Sequence, residues 1–382
     1  MSPGIAPFPL YSHPAPDVAF LQQLKGPLSE AKQTPRAEAV SAVPKFSPSE
    51  HGAFIKATAS NIVDHIKRGE WTTTQVKATL FTEALEQVKI LDDETNMILR
   101  VWGFSAFVNK PAATDADIVA ILESAGAVPI AKTNIPQTMF SFECSNPIFG
   151  RTTNPYNEGY TSGGSSGGEA ALIAMDGVAL GVGSDTGGSM RIPAAFCSFK
   201  PSPLRSLCLD LRPQPALAAQ WVGVSAQDLD LFCRVVFGVQ ARSPDLAPIS
   251  YREHKLPEKL RFGYYAVDCA ARQVYRKFYD QVWNTHALDG IIAPVQALPQ
   301  VAHGHFTTIF ALAVGTTLYN VVNSPTGCIP VTKVDPTKDG LSEEWTQAPS
   351  PSLVESALYR GKKPMHNPVA MEGMPVGIQI AG

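Results

Sequence analysis

The sequence predicts an α/β protein, in which helices wrap a mixed β-sheet within one domain. An amphipathic helical pattern at 115–125 ends at Gly126 and passes directly into the apolar run 127–131, which is the pattern of a helix–strand unit. Further short apolar runs, bounded by turn residues, recur towards the end of the chain. With 382 residues, of which 45% are hydrophobic, the chain is long enough to bury a large core.

The elements follow in chain order from periodicity and capping residues. Residues 1–50 are rich in proline and aperiodic and predict an arm over the surface, whereas 51–382 predict the folded domain. Besides 115–125, helices are predicted at 60–68, 73–91, 169–175, 226–237, 272–283 and 306–322. Strands are predicted at 127–131, 178–182, 260–264, 290–294, 328–331 and 375–380. Since the chain ends shortly after the last strand, this strand is expected to leave an exposed sheet edge.

Composition argues against several classes of protein. The net charge is −3 and basic residues form no block, so nucleic acid is not an expected partner. Six cysteines are scattered without C-x-x-C spacing, which predicts reduced thiols in a cytoplasmic protein. The N-terminus lacks the pattern of a signal peptide, and polar residues interrupt the apolar window 306–322, so no membrane span is predicted. The pair His303 and His305 lacks an apparent third ligand, and neither a metal nor a cofactor is expected.

Two glycine-flanked serine clusters are the strongest chemical signal. The first reads GGSSGG at 163–168 and the second reads DTGGS at 185–189. Glycines allow successive backbone N–H groups to converge on an oxyanion, and a serine beside them can act as a nucleophile once a base takes its proton. Simple turns remain an alternative. The first cluster also fits the G-x-S-x-G nucleophile elbow, whereas the phosphate-loop pattern is absent because no lysine follows the glycines.

The sequence around these two clusters contains further recognisable motifs. With GRTTNP, GGSSGGE, GSDTGGSMRIPAAF and the terminal MEGMPVGIQIAG, the chain closely resembles the amidase signature family over 146–202 and, more loosely, from about Thr73 onwards. These motifs are most similar to those of fungal acetamidase-type members. The resemblance implies the amidase-signature α/β fold, with a mixed twisted sheet surrounded by helices. It also implies hydrolysis of a small-molecule amide to an acid and ammonia or an amine through an acyl-enzyme, without a cofactor, and by analogy a homodimer.

The same resemblance implies roles for individual residues. Ser189 matches the nucleophile, and Ser165, next to a cis peptide bond, matches the serine that relays its proton. The oxyanion hole is implied at the amides of Thr186, Gly187, Gly188 and Ser189. Supporting roles are implied for Ser166, Asp185, Arg191 and Lys132, the last as a structural lysine close to the site.

One family feature is missing from the sequence. The catalytic lysine of the family lies in a G-x-P-x-x-x-K-D segment, and the chain contains no such segment; its expected place is near the junction of Thr95 and Asn96. The regions 203–221 and 265–271 and the C-terminal end also depart from the family pattern or are shorter. Three interpretations stay open: an active amidase with another base, for which Lys132 is a candidate; a catalytically impaired pseudo-amidase; or an incomplete gene model of an amidase.

Overall fold

The computed structural model describes residues 57–70, 115–127, 129, 132–175, 177–197, 207–210, 219–223, 226–237, 258–264, 281–308, 310–322, 324–343, 347, 353–360 and 364–382. The predicted arm at 1–50, the predicted helix at 73–91 and the junction at 95–96 lie outside these residues.

Nine α-helical segments occur in this part of the chain. In order they are α1 (Ala59–Lys67), α2 (Asp117–Ser124), α3 (Gly167–Ala174), α4 (Arg191–Cys197), α5 (Ala226–Val236), α6 (Asn284–His286), α7 (His305–Thr308), α8 (Val314–Val321) and α9 (Leu353–Glu355). Short 3₁₀ turns lie at Gln137–Met139 and Phe310–Ala313, and a π turn lies at Ser356–Arg360. Predicted helices 60–68, 115–125, 169–175 and 226–237 are confirmed to within two residues at each end.

Helix starts follow from local chemistry where the chain offers a cap. Thr58 precedes α1 and accepts a hydrogen bond from the Asn61 amide at 3.1 Å through its side-chain oxygen, which satisfies one of the unpaired donors of the first turn. The single helix predicted over 306–322 is wrong, because the structure divides it into α7, a 3₁₀ turn and α8. The division places the beginning of α8 against the second serine cluster.

Seven strands form the main sheet: β5 (Leu180–Ser184), β6 (Leu207–Asp210), β7 (Ala219–Gly223), β8 (Phe262–Tyr264), β9 (Gly290–Pro294), β10 (Thr326–Lys333) and β11 (Pro375–Ala381). Across the sheet their order is β5–β7–β6–β10–β11–β9–β8. Only β8 and β9 run parallel among these neighbours, and the other pairs are antiparallel. The predicted mixed sheet is therefore confirmed.

Several strand predictions need correction. The last strand is not an edge, because β11 pairs with β10 on one side and with β9 on the other. Strands β6 and β7 occupy the region that departs from the family pattern and were not predicted. Two hairpins were also missed: β1 (Ser145–Asn146) with β2 (Gly150–Arg151), and β3 (Thr153–Asn154) with β4 (Asn157–Thr161). Of the strand predicted at 127–131, the described residues Ala127 and Pro129 lie in no strand.

The core lies between the sheet and α4. All seven residues of α4 are buried, and this helix packs against β10 and β11 on one side and against α3 on another. Four cysteines, Cys144, Cys197, Cys233 and Cys328, are buried free thiols. Among the described residues, no helix has the length and apolar character needed to cross a bilayer. This packing fixes the starts of α3 and α4, and each of the two serine clusters leads into one of them.

Candidate active site

The two serine clusters meet at the starts of α3 and α4. The Ser166 amide donates a hydrogen bond to the Ser189 carbonyl at 3.0 Å, which ties the first cluster directly to the second. Ser165 and Ser189 are both buried, with exposed fractions of 2% and 8%. The peptide bond between Gly164 and Ser165 is cis, as the resemblance implied. The fold thus brings the two predicted catalytic serines into adjoining loops.

Asp185 and Arg191 form a buried ion pair beneath the second cluster. Both side chains are 0% exposed, and the closest approach, Arg191 Nη2 to Asp185 Oδ1, is 3.0 Å. The guanidinium donates to Asp185 Oδ2 (3.0 Å) and Oδ1 (3.0 Å), Asn320 Oδ1 (2.5 Å), Gln379 Oε1 (2.9 Å) and the Thr316 carbonyl (3.0 Å). The two residues therefore brace the loop that carries Ser189.

The charge balance of this pair follows from its partners. Burial by itself would raise the pKa of the Asp185 carboxyl, but the Arg191 guanidinium and the hydrogen bonds from Asn320 and the Gly188 amide outweigh it and hold that pKa well below its usual range. Asp185 is accordingly a fixed negative charge at neutral pH. It organises the loop and does not accept a proton during a reaction near neutrality.

Two threonines at the start of α8 hold the opposite side of the same loop. The Thr316 and Thr317 hydroxyls lie 2.6 Å and 3.2 Å from the Gly187 carbonyl oxygen, and each also lies 2.9 Å from the Ala313 carbonyl. Gly188 has φ +121°, and a Cβ built on it would stand 2.2 Å from Thr316 Oγ1. Glycine is therefore required here for both conformation and space.

The orientation of the Gly187–Gly188 peptide bears on the predicted oxyanion hole. Its carbonyl faces α8, and the Gly188 amide donates to Asp185 Oδ1 at 2.6 Å. The Gly188 amide, which the family resemblance places in the oxyanion hole, is thus engaged by the carboxylate in this conformation. Thr186 is exposed and Gly187 is half-buried, so these two residues form the solvent-facing part of the loop.

The first cluster packs against the segment that precedes β1. A Cβ built on Gly164 would lie 2.6 Å from the Ser141 carbonyl oxygen, 2.7 Å from the Phe142 carbonyl carbon and 2.8 Å from the Glu143 nitrogen. Only glycine allows backbone to approach this closely. The backbone of 141–143 thus forms the support against which the peptide before Ser165 rests.

Three other ionisable groups lie in the segments around the clusters. Burial raises the pKa of the Cys144 thiol to about 11, so this thiol stays protonated at neutral pH. Burial also raises the pKa of Glu169 to about 7, although the Thr133 hydroxyl donates to its Oε2 at 2.6 Å. Lys132 is exposed, on the segment whose Asn134 carbonyl accepts the Gly168 amide at 3.2 Å. Its predicted supporting role stays a prediction.

His303 serves in hydrogen bonding. His303 Nδ1 lies 2.9 Å from Glu143 Oε1, and its Nε2 lies 3.0 Å from the Glu158 carbonyl. Within the described ranges, no group of three or more histidine, cysteine, aspartate or glutamate residues could hold a metal ion.

Sequence reasoning missed four residues that shape the site: Thr316, Thr317, Asn320 and Gln379. They come from α8 and β11, more than 120 residues after Asp185 and Arg191. A weak signal was available, since threonine and asparagine are unusual inside an otherwise apolar helix.

Comparison with known proteins identifies the family. The Amidase family matches residues 94–268 and 249–382, which is most of the chain. The chain therefore belongs to the Amidase family, and the resemblance to the amidase signature is confirmed.

Individual relatives agree with this assignment. Fatty-acid amide hydrolase 1 of Sus scrofa is 41% identical over 180 residues, which cover 44% of this chain and 31% of that protein. An acetamidase of Aspergillus oryzae is 36% identical over 206 residues, or 49% of this chain and 37% of that protein. The matched regions thus span only about a third of the length of these two relatives.

Solved structures support the same fold. A structure titled fatty acid amide hydrolase superposes with a TM-score of 0.71 at 18% identity, covering 96% of this chain and 91% of that one. A 6-aminohexanoate cyclic dimer hydrolase gives a TM-score of 0.59 at 16% identity, covering 86% and 93%. The predicted amidase-signature α/β fold is therefore confirmed.

Proposed function

We propose that this protein hydrolyses a small or aliphatic carboxylic acid amide, with Ser189 as the nucleophile and Ser165 as the residue that relays its proton. The observation that carries the proposal is the joining of the two serine loops by the Ser166–Ser189 hydrogen bond above the buried Asp185–Arg191 pair. Membership of the Amidase family supports amide hydrolysis as the reaction class.

The chemical steps follow from the two hydroxyls. The Ser189 oxygen attacks the amide carbonyl carbon, and its proton passes to the Ser165 oxygen while the Ser165 proton moves on to a base. Collapse of the tetrahedral intermediate breaks the C–N bond, and the leaving nitrogen takes up a proton by the reverse path. Water then attacks the acyl-enzyme, which releases the acid and restores Ser189.

The developing oxyanion needs converging donors. We assign this task to the amides of Thr186, Gly187 and Ser189, because the Gly188 amide donates to Asp185. The threonine bonds to the Gly187 carbonyl agree with leaving the Gly188 amide out, since that carbonyl and the Gly188 amide belong to the same peptide plane. Asp185, Arg191 and Ser166 act as positioning residues in this scheme.

The mechanism requires a final proton acceptor beyond Ser165. The sequence lacks the family's G-x-P-x-x-x-K-D segment, and the removal of a general base typically costs about 10²–10⁴-fold in rate. This observation favours, as a second candidate function, a pseudo-amidase that keeps the fold and binds amides without turning them over. Lys132 remains the candidate for a substitute base.

The substrate class is drawn from the named relatives. One is a hydrolase of fatty-acid amides and another is an acetamidase, so linear carboxamides are the class to test. The four buried free thiols agree with a reducing compartment, and we place the reaction in the cytoplasm. A homodimer remains a prediction.

An amide panel tests the proposal. Purified protein is incubated with acetamide, hexanamide, benzamide and oleamide, and ammonia release is measured beside the Ser189→Ala and Lys132→Met variants. We expect release from at least one linear amide, abolished in Ser189→Ala. If the wild type binds an amide but releases no ammonia, the protein is a pseudo-amidase and not an active amidase. A loss of turnover in Lys132→Met, without loss of binding, would identify the base.

A further inference from the structure

Glu143 lies in the segment that supports the peptide before Ser165, and its side chain is anchored at several points. The side chain is only 6% exposed. Its Oε1 faces His303 Nδ1 at 2.9 Å and Arg151 Nε at 3.2 Å, and its Oε2 accepts the Gly304 amide at 2.8 Å. A carboxylate buried to this extent is stable only when such partners compensate for its lost hydration.

The partner of Glu143 is fixed in turn by the strand that leads into the first serine cluster. The second ring nitrogen of His303 lies 3.0 Å from the Glu158 carbonyl, and the His303 amide donates to the Gly159 carbonyl at 3.4 Å. Both carbonyls belong to β4, which ends at Thr161. The Thr161 hydroxyl then accepts the Gly163 amide at 3.0 Å.

The main chain of Glu143 touches the serine loop itself. Its nitrogen is one of the three atoms within 2.8 Å of a Cβ built on Gly164, and its amide donates to Ser141 Oγ at 3.1 Å. Phe142, the preceding residue, is 7% exposed, and its Cζ lies 3.6 Å from a Cβ built on Gly187 in the second cluster. Displacement of this segment would therefore disturb both serine loops.

From these contacts we propose that Glu143 is a positioning residue of the active site. Its bonds to His303 and to the Gly304 amide are called here the Glu143 anchor. The anchor holds the 141–143 backbone against Gly164 and so keeps Ser165 in place beside Ser189. The proposal rests on the roles proposed above for the two serines. Arg151 contributes less, because its side chain is 48% exposed.

Two readouts test the Glu143 anchor, and one of them does not require activity. Amide hydrogen exchange, followed by mass spectrometry, reports on peptides covering 161–168, where the Ser166 and Gly168 amides are bonded to the Ser189 and Asn134 carbonyls. We expect faster exchange there in Glu143→Ala and His303→Ala, with unchanged exchange in β11. Glu143→Gln can still accept from Gly304, so it should lie between the wild type and Glu143→Ala.

The second readout is the rate at which a fluorophosphonate labels Ser189. We expect a fall of about tenfold in Glu143→Ala, a smaller fall in Glu143→Gln, and non-additive effects when Glu143→Gln is combined with His303→Ala. With an amide that the wild type hydrolyses, kcat should fall while KM changes little, because Glu143 does not reach the substrate in the proposed scheme. Glu355→Gln, which removes the charge of a partly buried pair with Arg360, is the matched control and should behave as the wild type.

The outcomes separate the two proposals. Absence of labelling in the wild type would refute the role of Ser189, and hydrogen exchange would still decide on the anchor. If Glu143→Ala does not fold, Glu143→Gln and His303→Ala carry the test. The proposal is overturned if, in every anchor variant that folds, the amide hydrogens of 161–168 exchange at the same rate as in the wild type.

Discussion

The Arg191→Met substitution probes the buried ion pair that supports Ser189. Methionine fills much of the space of the arginine stem but removes all donors of the guanidinium. Asp185 then loses its buried countercharge, although the Asn320 side chain and three backbone amides still donate to it. The acceptors at Thr316 and Gln379 also lose a donor.

The expected loss of stability is large. Removal of one partner from a buried pair costs about 3–5 kcal/mol in unfolding free energy. At about 2–4 °C per kcal/mol, as for domains of 150–250 residues, this corresponds to a fall in Tm of roughly 6–20 °C. The size of this chain favours the lower half of that range. The net loss is smaller than the sum of the five hydrogen bonds of Arg191, because each replaces a bond to water in the unfolded chain.

The effect depends on pH in a defined direction. In the wild type the folded-state pKa of Asp185 is depressed, so its contribution is present above the ordinary value of 3.8 and is lost only as pH falls through the depressed value. Without Arg191, we expect burial, the largest single influence on this carboxyl, to prevail and to raise its folded-state pKa above the ordinary value of 3.8. The variant is then destabilised further as pH rises from 4 to 7, and its stability deficit widens over that interval.

Thermal and urea unfolding, followed by tryptophan fluorescence at pH 4, 5.5 and 7, measure this deficit. Arg234→Met is the matched control, since Arg234 forms an exposed pair with Asp230 at 2.7 Å on α5, and the change there should stay within about 0.5 kcal/mol. A Tm within about 2 °C of the wild type at pH 7, or a deficit that narrows from pH 4 to 7, would refute the reasoning.

Two further predictions concern the loops and their surroundings. Gly188→Ala places a Cβ 2.2 Å from Thr316 Oγ1 at a φ of +121°. We therefore expect a fluorophosphonate to label Ser189 at least a hundredfold more slowly in this variant. In the control Gly340→Ala, where the added Cβ meets open space, the labelling rate should equal that of the wild type. Glu169→Gln should gain stability relative to the wild type as pH rises from 5 to 8. The reason is that the raised folded-state pKa of about 7 makes wild-type stability fall above the unfolded value of 4.5. A difference in urea midpoint between variant and wild type that is the same at pH 5 and pH 8 would contradict this.

The sequence was most informative where interacting residues are close along the chain. Asp185, Ser189 and Arg191 lie within one turn and a helix start, so a single motif contains the loop, its brace and the proposed nucleophile. The strand predicted at 290–294 coincides with β9, because three apolar residues stand between Gly290 and Pro294. Such local patterns carry most of what was predicted correctly.

Other features depend on contacts between distant residues. Gln379 lies on a strand read only as apolar, yet its side chain joins Arg191 to the Pro294 and Gly315 carbonyls. Strands β6 and β7 were missed because they flank a proline-containing stretch, and each strand forms only through pairing: β6 with β10 and β7, and β7 with β5 and β6. The periodicity of 306–322 predicted one helix. In the structure α8 begins only at Val314, and its first turn contacts the Gly187 loop.

The most direct test of Ser189 as a covalent nucleophile is intact-protein mass spectrometry after treatment with a fluorophosphonate, followed by peptide mapping. The wild type is predicted to gain one adduct, located on the peptide that contains Ser189, and Ser165→Ala should gain it far more slowly. Ser189→Ala should gain none. A wild type that stays unlabelled, or an adduct of equal yield in Ser189→Ala, would contradict the assignment.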